Sequence, residues 1–396
     1  MIPASADHSV ATKRGLAIGF PLFLLALVAL AVTLFDPLAR FGTGLPPDEG
    51  LAIERGTTEP NGIEVWVRGD GRDDVSIAQV QVDGAYWNFK QTPDGPLGRF
   101  EGALIEIPYP WVAGDAHHLT FVTSTGTTFG YSIDVARDTT PFSLGALFDL
   151  ALLGLFVGVV PIALGLATIP ILRRMGTEGM VFAMALTVGL LAFLLVDTLA
   201  EGLELAAEAA GAYQTDVIVW VVAALTFAAL MALSRIGGRK GGTGGIALAT
   251  WMALGIGLHN FGEGLSIGTA LILGNAALGS LLIVGFTVHN LTEGIAIAAP
   301  VTRKTPGLWM FVGWTALAGL PAVAGAWIGA FAFLPHWGAI FFGIAAGAIL
   351  QVMVEVIRFI LALGRESTDS LSGGTAFAGF GTGVLAMYAT AFLVQV

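Results

Sequence analysis

Long apolar segments alternate with short polar ones along most of the chain. Residues 15–35 form the first uncharged run, which follows Lys13 and Arg14 and is long enough to cross a hydrocarbon core of about 30 Å. Eight further runs follow Pro141, at residues 143–171, 177–200, 216–233, 246–272, 277–299, 307–332, 337–362 and 374–395. The pattern predicts a polytopic α-helical membrane protein with an N-terminal transmembrane helix and an eight-helix core.

The stretch between the first and second apolar runs has a different pattern. It contains turn sequences and five short runs that predict β-strands, namely IEVWVRG, VSIAQVQVDG, ALIEIPYPW, HLTFVTS and FGYSIDV. Strands at this close spacing favour a small all-β, Ig-like antiparallel sandwich. The predicted organisation is a cytoplasmic tail and transmembrane helix at 1–36, a β-sandwich at 37–140 and a helical core at 141–396.

A signal peptide is the alternative for the first apolar run. The apolar region of a signal peptide has only about 7–15 residues and precedes a cleavage site of small residues. The longer run at 15–35 favours a retained helix. The sequence leaves open whether this helix is cleaved.

Basic residues occupy every second loop of the predicted core. They are Arg173, Arg174, Arg235, Arg239, Lys240, Arg303, Lys304 and Arg365. The excess of positive charge in cytoplasmic loops places these loops, and Lys13 with Arg14, in the cytoplasm. The β-sandwich and the C-terminus are then extracytoplasmic, which predicts a multi-pass protein of the bacterial inner membrane.

Composition agrees with a membrane protein and excludes several functions. Only 12% of residues are charged and 55% are hydrophobic, whereas soluble domains have about 25% charged residues. The net charge of −11 and the lack of a basic patch argue against nucleic-acid binding. The chain has no cysteine, which excludes disulfides and thiolate metal ligands.

A repeated polar motif interrupts two neighbouring apolar runs, as HNFGEG at 259–264 and HNLTEG at 289–294. Within each motif the His and Glu are four residues apart, so they project from one face of a helix. Carboxylates at the centre of a bilayer cost at least about 2.5–3.5 kcal/mol each, and a bound divalent cation would compensate for that cost. Imidazole, carboxylate and amide ligands suit Zn, Fe, Mn, Co or Ni. The candidate metal ligands are His259, Asn260, Glu263, His289, Asn290 and Glu293.

The motif pair resembles the fourth and fifth core helices of the ZIP family of metal transporters, particularly its bacterial branch. The resemblance covers residues 143–396 and implies transport of a divalent transition metal into the cytoplasm. Zinc is the first expectation, with Fe, Mn, Co, Ni and Cd as alternatives. The resemblance implies no enzymatic activity and no organic cofactor. The expected partners are the metal cation and the lipid bilayer, with a homodimer left open.

Departures from the family pattern sharpen this expectation. Asn290 stands where two-metal members often have Asp, and Ala322 in AGLPAVAGAWIG stands where they have Glu, which predicts a single metal site. The resemblance also suggests Asp197 and Glu201 as an entrance, with an ordinary solvated helix end as the alternative. It suggests Glu355 as an exit residue, with a salt bridge to Arg358 as the alternative.

Two other functions compete with transport. An intramembrane metal-dependent hydrolase would also need a buried His/Glu site, but neither motif is H-E-x-x-H and no third histidine lies nearby in the sequence. A membrane-anchored binding protein would rely on its β-domain alone. The buried motif pair argues against inert helices.

Overall fold

The computed structural model describes residues 23, 24, 27, 28, 30, 31, 48–133, 135–137, 142–241, 245–272, 276–302, 304, 306–366 and 373–395. The chain forms two compact units, Met1–Asp48 and Glu49–Val396. In the first unit the described residues between 23 and 31 are helical. The rest of the predicted N-terminal helix lies outside the described residues. So do the side chains of Lys13, Arg14, Arg239, Lys240, Arg303 and Arg365, which contribute to the predicted orientation.

The second unit begins with eight strands in two antiparallel sheets. The strands are β1 (Leu51–Glu59), β2 (Gly62–Gly69), β3 (Ile77–Val82), β4 (Ala85–Trp87), β5 (Lys90–Thr92), β6 (Gly102–Ile107), β7 (His117–Thr123) and β8 (Thr128–Ile133). One sheet has the order β1-β2-β6-β5 and the other β4-β3-β7-β8. Ile63, Ile105 and Phe121, from both sheets, are buried in one shared core. We call residues 51–133 the β-unit.

All five strands predicted from the sequence are present, as β2, β3, β6, β7 and β8. The alternation of polar and apolar residues did not predict β1, because three of its buried residues are polar: Glu54, Thr57 and Thr58. Its register also shifts between Ile53 and Arg55, which interrupts the two-residue period of a regular strand. Strands β4 and β5 have three residues each, too few for a periodic signal.

Ten α-helices follow in the described residues. They are α1 (Leu144–Gly154), α2 (Val160–Leu166), α3 (Ile169–Leu172), α4 (Thr177–Glu208), α5 (Thr215–Gly241), α6 (Gly245–Ile272), α7 (Ala276–Ala298), α8 (Leu308–Phe331), α9 (Pro335–Glu366) and α10 (Gly373–Gln395). A π-helical turn, Leu155–Val159, joins α1 to α2. The hydroxyl of Ser143 caps α1 by accepting a hydrogen bond from the Ala146 N–H.

Six stretches in the described part of the chain are long and apolar enough to cross a membrane. They are Leu144–Leu172, Thr177–Glu208, Thr215–Arg235, Leu282–Val301, Leu308–Phe331 and Pro335–Gly364. Six helices of this length and hydropathy indicate a multi-pass membrane protein. Helix α6 is long enough but is not among the six, since His259, Asn260 and Glu263 lower its hydropathy.

Glycines bring α6 and α8 into backbone contact. A Cβ on Gly264 would lie 2.0 Å from the carbonyl oxygen of Ala322, and a Cβ on Gly325 would lie 2.0 Å from that of Phe261. Each helix therefore needs a residue without a side chain where it meets the other. Gly264 directly follows Glu263 of the first motif, so this close approach lies beside a candidate metal ligand.

The β-unit packs on one end of the helical core through a small polar and aromatic contact. The Tyr213 ring stacks on Phe100 of the β-unit and on His336 at the start of α9. His336 Nδ1 lies 3.6 Å from Glu54 Oε1. The carboxylate of Asp70 accepts a hydrogen bond from the Gly211 N–H at 2.9 Å. We call this end of the helices the β-unit end and the opposite end the far end.

Candidate metal site

Three side chains of the two motifs meet around one carboxylate oxygen. Glu263 Oε1 lies 2.9 Å from His259 Nε2 on the same helix, although without hydrogen-bond geometry. The same oxygen pairs with His289 Nε2 from α7. One ligand atom from each of the three residues lies within 4.8 Å of the others. This spacing lets the three groups share one metal ion, so α6 and α7 contribute to a single site.

Asn290 places a further ligand atom at this cluster. Its Nδ2 donates to Glu263 Oε2 at 3.0 Å and to the Val157 carbonyl oxygen at 3.1 Å. Both hydrogens of the amide are then in use, and the amide is held in one orientation. Its Oδ1 is buried and has no hydrogen-bond partner among the described residues. A buried acceptor in that state is available to a cation.

Asn260 is arranged in the same way on the other side of α6. Its Nδ2 donates to the Ala318 carbonyl oxygen of α8 at 3.0 Å, and its buried Oδ1 has no partner in the described part of the chain. The contact depends on the glycine-mediated approach of α6 and α8, which brings the carbonyl within reach. The two asparagines thus use their amide nitrogens for the backbone and leave both oxygens unpaired.

Glu293 completes the set of predicted ligands. It lies one turn after His289 on α7, is 1% exposed, and neither carboxylate oxygen has a hydrogen-bond partner among the described residues. It interacts electrostatically with His259 and Glu263. All six predicted ligands are at most 3% exposed. Two buried carboxylates without a matching positive charge are unfavourable in a low-dielectric interior.

The π-helical turn before α2 is a part of the site that the sequence analysis did not predict. It contains Val157, whose carbonyl oxygen accepts from Asn290. In a regular helix that carbonyl would receive the N–H of residue 161, but Pro161 has no N–H. Pro161 was the signal in the sequence that a main-chain acceptor would be available on this helix. π-Turns of this kind are frequent at functional sites.

The predicted entrance residues belong to an acidic stripe on α4. Asp197, Glu201, Glu204 and Glu208 follow a spacing of four, three and four residues, which places them on one face, and all four are exposed. Asp197 interacts electrostatically with both His259 and His289. The stripe therefore starts near the metal ligands and ends at Glu208, toward the β-unit end.

Glu208 lines a cleft of about 800 Å³ between the β-unit and the helix ends. Glu54 and Asp70 of the β-unit also line it, and α6 contributes Thr269. At 1.5 Å per helical residue, Thr269 lies about 15 Å from the level of His259 along α6. The cleft is thus separated from the site by roughly half the thickness of a bilayer core.

On the far side, Glu355 has local partners. Glu355 Oε1 accepts a hydrogen bond from Ser234 Oγ at 3.3 Å and from Arg358 Nη1 at 3.4 Å. The salt bridge that the sequence offered as the alternative is therefore present. Arg358 is exposed and both contacts are long, so these interactions hold Glu355 only weakly.

Ala322 occupies a packed position. It is 1% exposed, and its carbonyl oxygen lies against Gly264. A Cβ on Gly158 would lie 3.0 Å from the Cβ of Ala322, so its methyl group fills the space beside the π-helical turn. No carboxylate is available at this position as a ligand for a second metal.

Comparison with known proteins adds nothing to these observations. No protein-family model matches the chain, and no curated protein matches it.

Proposed function

We propose that this protein is a ZIP-like transporter that moves a divalent transition-metal cation into the cytoplasm. The observation that carries the proposal is the buried cluster of His259, His289 and Asn290 around Glu263, accompanied by unpaired oxygens in the same two motifs. Asn260 Oδ1, Asn290 Oδ1 and both carboxylate oxygens of Glu293 have no partner among the described residues. Together with two imidazoles they form a ligand set that divalent first-row metals prefer.

The donor set favours zinc first, with Fe, Mn, Co, Ni and Cd as alternatives. It contains nitrogen and oxygen but no sulfur, so it lacks the thiolates of tight structural zinc sites. A transport site must release its ion as well as bind it. Two neutral amides and two carboxylates supply oxygen ligands, and two histidines supply nitrogen ligands. This set is consistent with reversible binding.

A single ion at the centre is the proposed stoichiometry. Asn290 donates one N–H to Glu263 and offers one neutral oxygen, where an aspartate would add charge. Ala322 fills its position with a methyl group packed against glycines. The two positions at which the ZIP resemblance would supply carboxylates for a second ion are therefore neutral.

The acidic cleft supports an entrance on the β-unit side. The carboxylates of Asp70 and Glu208 in the cleft, and the stripe from Glu208 to Asp197, raise the local concentration of cations near the mouth. In the proposed membrane orientation this side is extracytoplasmic and the far end, with Glu355, is cytoplasmic. The cation would then pass from the cleft along the acidic stripe to the central site, and from there to the far end.

We also propose an eight-helix ZIP-like core and an Ig-like fold for the β-unit. The strand orders β1-β2-β6-β5 and β4-β3-β7-β8 correspond to the A-B-E-D and C′-C-F-G sheets of immunoglobulin domains. The same proposal places the protein in the bacterial inner membrane.

Uptake into proteoliposomes loaded with a chelating dye tests the proposal. The wild type should accumulate Zn²⁺, and Glu263→Ala and Glu293→Ala should each lower the uptake rate by about 10–100-fold, as losses around metal sites do. Glu178→Ala is the matched control, because Glu178 lies in the first turn of α4 at the far end. Uptake by both site variants at the wild-type rate would refute the transport site. Competition by Fe²⁺, Mn²⁺, Co²⁺, Ni²⁺ and Cd²⁺ then ranks the substrates.

A further inference from the structure

Gln351, in the middle of α9, is a buried side chain with no evident structural role. It is 0% exposed, and neither its amide oxygen nor its amide nitrogen has a hydrogen-bond partner among the described residues. A buried amide that makes no hydrogen bond destabilises a folded protein, so each such group calls for an explanation. An apolar residue of the same size would be the more stable choice at this position.

The amide oxygen of Gln351 lies one helical turn from the metal ligands. A Cβ on Gly255 of α6 would lie 2.8 Å from Gln351 Oε1, so the amide rests directly against this glycine. Gly255 and His259 are four residues apart and therefore on the same face of α6. Four residues correspond to about 6 Å along the helix axis. Gln351 thus borders α6 immediately on the far side of His259.

Small residues bring α6 and α9 close together on this face. Gly255, His259 and Gly262 form one stripe on α6, at a spacing of four and three residues. A Cβ on Gly262 would lie 3.4 Å from the Cβ of Ala345, and Ala348 faces Gly255. On α9 the stripe therefore meets alanines, the side chain of Val352 beside Gly255, and Gln351, whose amide is the polar group at this contact.

Glu355 continues the same line toward the far end. Gln351 and Glu355 are four residues apart on α9 and so share a face. Glu355 accepts hydrogen bonds from Ser234 of α5 and from Arg358. His259, Gln351 and Glu355 therefore form a series of polar groups at intervals of about one helical turn.

We propose that Gln351 is a second, transient binding position for the transported cation, between the central site and Glu355. Its amide oxygen is a neutral ligand that divalent cations with a preference for oxygen or nitrogen accept. Because it adds no charge, it holds the ion weakly and does not trap it. The inference rests on the proposed transport function and adds a position on the exit route.

Gln351→Leu tests the inference, since leucine has a similar size and no polar atoms. Uptake of Zn²⁺ and Mn²⁺ in proteoliposomes should fall by about tenfold or more, while equilibrium binding of Zn²⁺ at the central site changes less than about twofold. The unfolding temperature should rise, because an unpaired buried amide is removed. Met353→Leu on the same helix is the control for repacking and should transport like the wild type.

Each result of this experiment is decisive. Wild-type uptake by Gln351→Leu overturns the inference and leaves the central site intact. A lower unfolding temperature, with normal or with reduced uptake, assigns Gln351 a structural role and also overturns the inference. If Gln351→Leu fails to fold, Gln351→Met provides the same comparison with an unbranched side chain. A wild type that binds Zn²⁺ but shows no uptake refutes the proposed function, and the inference with it.

Discussion

The side-chain amide of Asn290 donates a hydrogen bond to the main-chain carbonyl of Val157 at 3.1 Å. This bond joins the second motif helix to the π-helical turn between α1 and α2. It exists because Pro161 cannot donate an N–H to that carbonyl. The backbone of one helix thereby fixes the orientation of a candidate metal ligand on another.

Replacing Pro161 by alanine should weaken transport without weakening the fold. The new N–H at residue 161 can donate to Val157 and compete with Asn290, whose amide oxygen then loses its fixed orientation. We expect the uptake rate of Pro161→Ala to fall by about tenfold, the effect typical of groups that orient metal ligands. The unfolding temperature in detergent should not fall, because the helix gains a hydrogen bond.

Pro170→Ala is the control for Pro161→Ala. Pro170 is exposed at the second position of α3, where an N–H has no acceptor within the helix. It should transport at the wild-type rate. Equal uptake by Pro161→Ala and the wild type would show that the Val157 contact does not orient the ligand.

Asn290→Asp should lower the stability of the metal-free protein and increase the stabilisation that metal binding provides. Aspartate cannot donate to Glu263 Oε2 or to Val157, and it adds a carboxylate beside Glu263 to that of Glu293. Without metal we expect a loss of about 1–3 kcal/mol of stability, the cost of leaving buried polar groups unpaired. Saturating Zn²⁺ should then raise the unfolding temperature more than it does in the wild type, because binding stabilises the folded state in proportion to affinity.

Asn290→Ala separates charge from hydrogen bonding in that experiment. It loses the same two hydrogen bonds but adds no carboxylate, so it should be destabilised without a larger response to Zn²⁺. Thermal unfolding of all three proteins with and without Zn²⁺ makes the comparison. Equal zinc-dependent shifts in Asn290→Asp and the wild type would contradict the assignment of Asn290 as a ligand.

The sequence predicted the six candidate membrane spans of the described residues, five strands and the motif pair because each has a local signal. Apolar runs reveal spans, alternation reveals β2 or β7, and a four-residue spacing places His259 and Glu263 on one face. The burial of Glu54 in β1 left no such signal, since its partner Arg68 lies on the next strand. Long-range contacts of this kind depend on the completed fold.

In the candidate site too, local features could be predicted from the sequence and long-range contacts could not. Spacing alone predicted that the His and Glu of each motif share a helix face. It did not predict that Asn290 would bind the backbone at Val157 or that Asn260 would bind it at Ala318. These contacts arise from helix packing between segments more than 50 residues apart in the chain. Gln351 was missed because a lone glutamine in an apolar helix has no periodic signature.

The glycine contact between α6 and α8 predicts a large cost for a single methyl group. Gly264→Ala would place a Cβ 2.0 Å from the Ala322 carbonyl oxygen, so the two helices must separate. We expect a loss of about 1–3 kcal/mol in the free energy of unfolding, accompanied by reduced uptake as Asn260 moves away from Ala318. Thermal unfolding and uptake of the same preparation give both measurements.

Gly313→Ala is the matched control for this substitution. Gly313 lies within α8, and a Cβ there would meet no atom within 4 Å. Alanine should raise stability by up to about 1 kcal/mol through its higher helix propensity. Equal effects of the two substitutions would mean that helix propensity, and not backbone contact, determines the response at Gly264.

Glu54 should make the stability of the β-unit dependent on pH. Its carboxylate is paired with Arg68 Nε at 2.6 Å and lies near His336. Burial alone would raise the pKa of Glu54, but the interactions with His336 and Arg68 outweigh it and hold the pKa below the ordinary value of 4.5. A lowered pKa in the folded state stabilises the protein fully above pH 4.5, and this stabilisation is lost as the pH falls through the folded value.

Limited proteolysis of the full-length protein across that pH range tests the role of Glu54. At neutral pH, Glu54→Gln should be destabilised by about 1–3 kcal/mol because a charged hydrogen bond is lost, and its β-unit should be cut faster than that of the wild type. The difference should shrink as the pH falls, since the wild-type carboxyl becomes neutral as well. Glu106→Gln removes the exposed partner of Lys90 and should not change the cleavage rate. A difference between Glu54→Gln and the wild type that stays constant with pH would show that the carboxylate charge does not stabilise the β-unit.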